Sequence, residues 1–193
     1  MFEYIKGALV SLSPAGVVIE AGDIGYFVHI SLTTYSQLHG SEKATLFLHQ
    51  VIREDAHTLY GFFDQAEREL FRMLISVSGI GANTAIMMLS SHKPDELQNA
   101  ILSENVGLLK NIKGIGIKTA QRVIIDLKDK IGKTTAGDLT FRTGENPVRA
   151  EAVTALEMLG FNKKAVEKLV DQLLTEQPSI AVENLIKLAL KSF

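Results

Sequence analysis

The chain has no cysteine. That excludes a disulfide framework and any thiolate-held metal, and it fits a reducing compartment such as the cytoplasm. No apolar run approaches the roughly 18–20 residues of a membrane span, so no membrane partner is expected. The first residues, MFEYIKGALV, lack a cationic start followed by an apolar block, so no secretory leader is expected. Neither sign of charge dominates: the formal net charge is −2 over 193 residues. Total charge therefore gives no argument for a nucleic-acid partner. Catalytic constellations are also missing. His29, His39, His49, His57 and His92 show no metal-ligand spacing on a helix, and no nucleophile elbow or kinase-type set occurs. No metal and no cofactor is expected.

What is present is uneven. Residues 1–63 carry 3 Lys/Arg against 6 Asp/Glu, residues 64–131 carry 9 against 8, and residues 148–193 carry 6 of each. Within 110–130 the balance tips to Lys110, Lys113, Lys118, Arg122, Lys128 and Lys130 against Asp126 and Asp129. A locally basic face can bind phosphate whatever the total charge is. By charge alone, a solvated helix face explains the same stretch.

Hydrophobic periodicity divides the chain into three segments and a linker. In 1–63, GVVIEAG, YFVHIS and ATLFLHQVIRE are rich in β-branched and aromatic residues, with turn chemistry in SPAG and AGDIG. The last run alternates Leu46, Leu48, Ile52 with Phe47, Val51, Arg53, so both faces are partly apolar. That fits a small closed barrel with something packed outside, and an OB-like barrel matches best. TTYSQLHG between two runs reads as a short helix. From Asp64 the period changes to helical, opening on a capping box with Glu67. Over 117–130, Ala120, Val123, Ile124, Leu127 and Ile131 form one apolar stripe, and Lys118 and Arg122 share another face. Residues 132–147, GKTTAGDLTFRTGENP, have no period and read as a flexible linker. Residues 148–193 return to helix in three pieces. One ends at Gly160, one is capped by Asn162, and one is opened by Pro178 and Ser179. The expected class is multidomain α+β: a barrel over 1–63, a helical domain over 64–131, a linker over 132–147 and a three-helix domain over 148–193.

A phrase recurs within the middle segment. Ser78–Ala85 reads SGIGANTA and Lys113–Ala120 reads KGIGIKTA, identical at Gly-Ile-Gly and at the closing Thr-Ala. Each copy lies between two helical patterns. Gly-apolar-Gly permits a tight helix reversal, and Ile80 or Ile115 can plug the space between the helices. The helix that follows begins with backbone N–H groups that have no internal partner, and with the positive end of its dipole. Such a helix–hairpin–helix unit grips one phosphate without reading a base. A pair of units related by a pseudo-twofold would hold both strands across a minor groove.

Competing readings of the same letters fare worse. A dinucleotide fingerprint needs a third glycine and a preceding strand, and here Thr stands at that place after a helix. Gly132–Thr134 reads GKT like the end of a P-loop. Leu127 replaces its first glycine and no strand precedes it, so no ATP site is expected. Two tight helix turns with no ligand remain the plain structural alternative, weakened by the repetition.

The stretch VIREDAHTLYGF closing the barrel, the tandem GIGANTA and GIGIKTA, and LGF in the last segment together resemble the RuvA family of bacterial Holliday-junction-binding proteins, over the whole chain and in the right order. The resemblance implies an N-terminal OB-like barrel, a tandem helix–hairpin–helix domain and a small UBA-like three-helix domain. It implies a homotetramer on a four-way junction, sometimes paired into an octamer, acting in recombination and repair. Glu54 and Asp55 match an acidic pin at the crossover. Gly79, Gly81, Asn83, Thr84, Gly114, Gly116, Lys118, Thr119 and Arg122 match the DNA-gripping hairpins. Leu156, Leu159, Phe161 and Leu190 match the surface that engages the hexameric ATPase RuvB, Phe161 foremost, although some of these must build the core. The junction resolvase RuvC is a further implied partner. The chain itself is then not an enzyme.

One departure stands out. The family often has Lys at the second free place of the first phrase, and this chain has Asn83. Two rival functions follow from the same hairpins: a DNA scaffold with no junction preference, and a nuclease or glycosylase. The latter needs a catalytic group after a hairpin, where Asp126 is the sole candidate and has no evident partner.

Overall fold

The computed structural model describes residues 2–140 and 146–193. The chain divides into two compact units, residues 1–134 and 135–193.

The first unit opens with five strands: β1 (Tyr4–Ser13), β2 (Gly16–Ala21), β3 (Ile24–Ile30), β4 (Lys43–Ile52) and β5 (His57–Phe62). They close into a barrel in the order β1-β2-β3-β5-β4, with β4 returning to β1. All pairings are antiparallel except β3 with β5. Closure needs β1 to serve two neighbours at once, and Gly7 makes this possible. A Cβ there would lie 1.8 Å from the Glu20 carbonyl oxygen, so any side chain would force the strands apart. Inward positions alternate as period 2 demands: Val17 and Ile19 on β2, Val28 and Ile30 on β3, Leu46 and Leu48 on β4. Ile52, in phase with Leu46 and Leu48, is exposed at the strand's end.

The outer face of β4 explains its second apolar set. Val51 packs on the helical core, His49 lies edge-on to Phe71 with ring centroids 5.4 Å apart, and the Arg68 guanidinium sits 5.5 Å over Phe47. Burial, together with the positive charge of Arg72 and Arg68, pushes the His49 imidazole below its ordinary value. The covering element is α2 (Gln65–Ile75), capped by the Asp64 carboxylate, which accepts from Glu67 N at 2.8 Å. The short helix read between strands is α1 (Leu32–Leu38), capped by Ser31.

Four more helices complete this segment: α3 (Ala82–Ser91), α4 (Pro94–Leu102), α5 (Val106–Lys110) and α6 (Ile117–Thr140). The stripe Ala120, Val123, Ile124, Leu127, Ile131 is buried as its spacing requires. The helix then runs on to Thr140, well into the stretch expected to be an irregular linker. Gly132 and Gly137 each cost a helix about 1 kcal/mol relative to Ala, but no proline stops the turn before Pro147. The rest of that linker, 141–145, lies outside the described residues.

The second unit holds α7 (Pro147–Met158), α8 (Lys163–Glu176) and α9 (Val182–Ser192) around Ala152, Val153, Leu156, Val166, Val170, Leu185 and Ala189. Asn162 caps α8, as its sequence position implies. The third helix starts at Val182, later than Pro178 and Ser179 indicate.

Candidate nucleic-acid interface

The two copies of the repeated phrase fold alike, bond for bond. In the first, Ile80 N donates to Val77 O at 3.0 Å and Ala85 N to Gly81 O at 3.0 Å; in the second, Ile115 N donates to Ile112 O at 3.0 Å and Ala120 N to Gly116 O at 2.9 Å. Gly79 and Gly114 have φ of +95° and +90°, a region that a residue with a Cβ enters only under strain. Ile80 and Ile115 are both buried between their helices, as the plug role requires.

The crests of these turns are bare. Beyond the adjoining backbone, no described atom lies within 4 Å of where a Cβ would stand on Gly79, Gly81 or Gly116. Gly81 caps α3 through its backbone alone, with no side-chain hydrogen bond. The first N–H groups of α3 are thus left for an external acceptor, in a geometry suited to an anion. Thr84 and Thr119 are half-buried one turn behind, and Asn83, Lys118 and Arg122 are exposed. Among the described residues no carboxylate pairs with Lys118 or Arg122, whereas Lys128 is committed to Glu104 at 2.5 Å. Within the basic stretch, Lys118 and Arg122 are therefore available to a ligand, while Lys128 is held within the protein.

Charge of the opposite sign sits on the barrel. β4 and β5 join through a tight turn in which Arg53 N donates to Ala56 O at 2.8 Å, and Glu54 and Asp55 are exposed at its tip. Barrel and hairpins are locked together by polar bonds that the sequence reading did not anticipate. Glu67, expected to complete a capping box, instead points away from it. Its carboxylate, only 1% exposed, accepts from the hydroxyls of Ser31 and Thr34 at the start of α1, the latter at 2.6 Å. Burial raises its pKa above the ordinary carboxyl range, partly countered by those two hydroxyls. Thr33 Oγ1 donates to Leu89 O at 2.7 Å, and Leu32 N donates to Ser90 Oγ at 3.0 Å. Arg68 reaches back to Glu3. Tyr60 Oη donates to Asn83 Oδ1 at 3.1 Å. Only a polar side chain at an otherwise apolar, contact-rich spacing could have signalled these residues, and Glu67 already had a local explanation.

Comparison with known proteins follows this layout. Residues 1–61 match the RuvA N-terminal domain, residues 71–129 the SAM-like helix-hairpin-helix tandem, and residues 147–192 the RuvA C-terminal domain. Among curated relatives, the chain is 49% identical over 191 residues to the Holliday junction branch migration complex subunit RuvA of Christiangramia forsetii, covering 99% of each. It is 52% identical over 199 residues to the subunit of the same name from Bacteroides thetaiotaomicron, again covering 99% of each. The one from Flavobacterium psychrophilum is 49% identical over 192 residues and covered in full.

The chain belongs to the RuvA family.

Its architecture is accordingly the RuvA N-terminal barrel, the tandem hairpin domain and the RuvA C-terminal domain. In the C-terminal unit the four residues matched to a partner surface separate. Leu156 is fully buried in the three-helix core, which takes it out of any docking face in this conformation. Leu159 and Leu190 are exposed, and Phe161 is half-buried. A helix-ending motif sets Phe161: Gly160 takes φ +95° and donates to Glu157 O at 3.0 Å, while Phe161 N donates to Leu156 O at 3.2 Å. Phe193 stacks on the Phe161 ring with centroids 4.4 Å apart. Phe193 and Met158, the latter 85% exposed, extend this apolar surface and were not singled out from sequence. Among the described residues no helix is long and apolar enough to cross a membrane.

Proposed function

We propose that the chain is the junction-recognising subunit of a DNA branch migration complex. It binds four-way junctions by shape and phosphate rather than by base sequence, holds the crossover open, and carries a separate ATPase to the arms. The observation that carries this reading is the pair of bond-for-bond equivalent hairpins, bare at their crests, in one unit with a barrel whose exposed tip is acidic. The relatives' naming as Holliday junction branch migration complex subunits supports it. The backbone around Gly79, Gly81, Gly114 and Gly116 grips phosphates, helped by Asn83, Thr84, Lys118, Thr119 and Arg122. Charge-assisted contacts from Lys118 and Arg122 release counterions and set the salt dependence.

Glu54 and Asp55 act by exclusion. A carboxylate near a phosphate repels it, and two at the crossover disfavour a continuous duplex there. The resemblance to the RuvA family implies a tetramer, and its fourfold symmetry would bring four such tips together. The chain performs no bond chemistry and holds no nucleotide of its own. A hexameric ATPase of the RuvB type engages Leu159, Phe161 and Leu190 on the C-terminal unit, a resolvase of the RuvC type acts on the opened junction, and the complex works in the cytoplasm.

A junction carrying 2-aminopurine at the crossover tests the opening step. Binding by the wild-type chain should brighten the probe, and Glu54→Gln with Asp55→Asn should bind but brighten it less. An unchanged probe, or an equal response in linear duplex, would contradict the reading.

A further inference from the structure

The two hairpins share their backbone but not their charge. Aligning the copies on Gly79 and Gly114 sets Asn83 against Lys118 and Met87 against Arg122. The cations at Lys118 and Arg122 are thus matched by neutral side chains in the first hairpin. Met87 does not reach for solvent phosphate. Its Cε comes within 3.8 Å of the Cβ position at Gly114, over the turn of the second hairpin. This leaves Asn83 as the exposed polar side chain at the first hairpin's crest-facing turn. Its partner comes from outside the hairpin domain: the hydroxyl of Tyr60 on β5 donates to Asn83 Oδ1 at 3.1 Å.

We propose that Tyr60 is a positioning residue for the first hairpin, holding the Asn83 carboxamide so that its NH2 group faces out as a neutral phosphate donor. A carboxamide is planar, with acceptor and donor ends roughly 120° apart. Fixing the oxygen therefore fixes where the nitrogen points, and it selects one of two otherwise interchangeable flips. Among the described residues nothing accepts from Asn83 Nδ2, so its two donors are available. Tyr60 is suited to the task. Its ring is 6% exposed, wedged between Phe71 at 5.3 Å and His29 at 5.6 Å, and so cannot swing away. A phenol is protonated, and so a donor, at neutral pH, and burial raises its pKa further. A lysine needs no such support, because an ammonium group donates in every direction. Asparagine in its place does need it. The first hairpin thus holds its phosphate by a pre-oriented neutral hydrogen bond, and the second by charge.

This inference rests on the hairpins being phosphate clamps, and the test separates the two claims. Full-length variants are titrated against a synthetic four-way junction at several salt concentrations. Lys118→Ala reports on the clamps themselves and should weaken binding and flatten the salt slope. Tyr60→Phe removes one hydroxyl and keeps the buried ring, so the fold is retained. It should weaken binding about three- to tenfold, the worth of one net hydrogen bond, and leave the salt slope unchanged. In an Asn83→Ala background Tyr60→Phe should have no further effect. Asn83→Lys should steepen the slope by about one counterion per contact and make Tyr60→Phe silent. If Lys118→Ala weakens binding while Tyr60→Phe does not, or Tyr60→Phe costs as much without Asn83 as with it, the positioning role is overturned and the clamp stands. If Lys118→Ala also has no effect, the clamp reading falls and takes this inference with it.

Discussion

At the scale of the residue, Glu67 and Lys118 illustrate opposite uses of charge. Glu67 is sealed from water and satisfied by two hydroxyl donors. Glu67→Ala strands those hydroxyls, at about 1–3 kcal/mol for each buried group left unpaired, and should lower the melting temperature clearly. Glu67→Gln keeps an acceptor and should cost less. The pH dependence has a definite sign. Burial raises the folded pKa above the ordinary 4.5, so the fold prefers the protonated acid. The stability this contributes is full below about pH 4.5 and is lost as pH rises through the raised value. Glutamine does not titrate, so the variant should gain on the wild type as pH rises from 4.5 to neutrality. Parallel melting curves across that range would contradict the assignment. Lys118 is exposed and uncommitted, so Lys118→Ala should leave stability within about 0.5 kcal/mol. It should weaken binding to all DNA sequences alike, which filter binding on unrelated duplexes will show; a sequence-selective loss would argue against a phosphate contact.

At the scale of the element, the hairpin turn is the unit that matters. Its first glycine is required by backbone geometry alone, since open space surrounds the Cβ position at Gly79. Gly79→Ala should therefore cost about 1–2 kcal/mol of stability by denaturant titration, with a loss of junction affinity as the turn relaxes. Gly81→Ala, at a negative φ, should cost far less stability and act mainly through steric exclusion of a phosphate. These turns were legible in the sequence because glycine, plug and helix start all fall within eight letters. The barrel was legible too, from β-branched runs and turn chemistry, as were the core stripe of α6 and the cap at Asn162. What escaped was long-range or context-bound. The continuation of α6 past Gly132 depends on the absence of a stop signal rather than the presence of a helix signal. The roles of Glu67 and Tyr60 depend on α1 and α3, far away in sequence. The separation of Leu156 from Leu159 depends on which face of α7 turns inward, and four apolar residues within a short stretch leave that face undetermined.

At the scale of the whole molecule, the proposed complex has recognition in the first unit and motor engagement in the second. Leu159→Ser with Phe161→Ala in the full chain should leave junction binding unchanged and abolish junction-dependent stimulation of a RuvB-type ATPase; parallel loss of both activities would show that the two units do not divide the work this way. Phe193, stacked on Phe161, should affect the same activity and not the DNA step. Within the first unit, the bonds from Ser31, Thr34, Glu67, Tyr60 and Asn83 tie the barrel with its acidic tip to the hairpin domain. In the proposed complex this is how a chain of net charge −2 would bind a polyanion, with the attractive groups facing the arms and the repulsive ones facing the crossover. The central claim is that this arrangement recognises a junction and not merely DNA. The most direct measurement is a competition gel shift on a synthetic four-way junction against linear duplex of the same sequence, at two salt concentrations. Junction binding that survives a large excess of duplex at both salts is the predicted result. Equal displacement by duplex would leave the hairpins as phosphate clamps and contradict the junction-specific role.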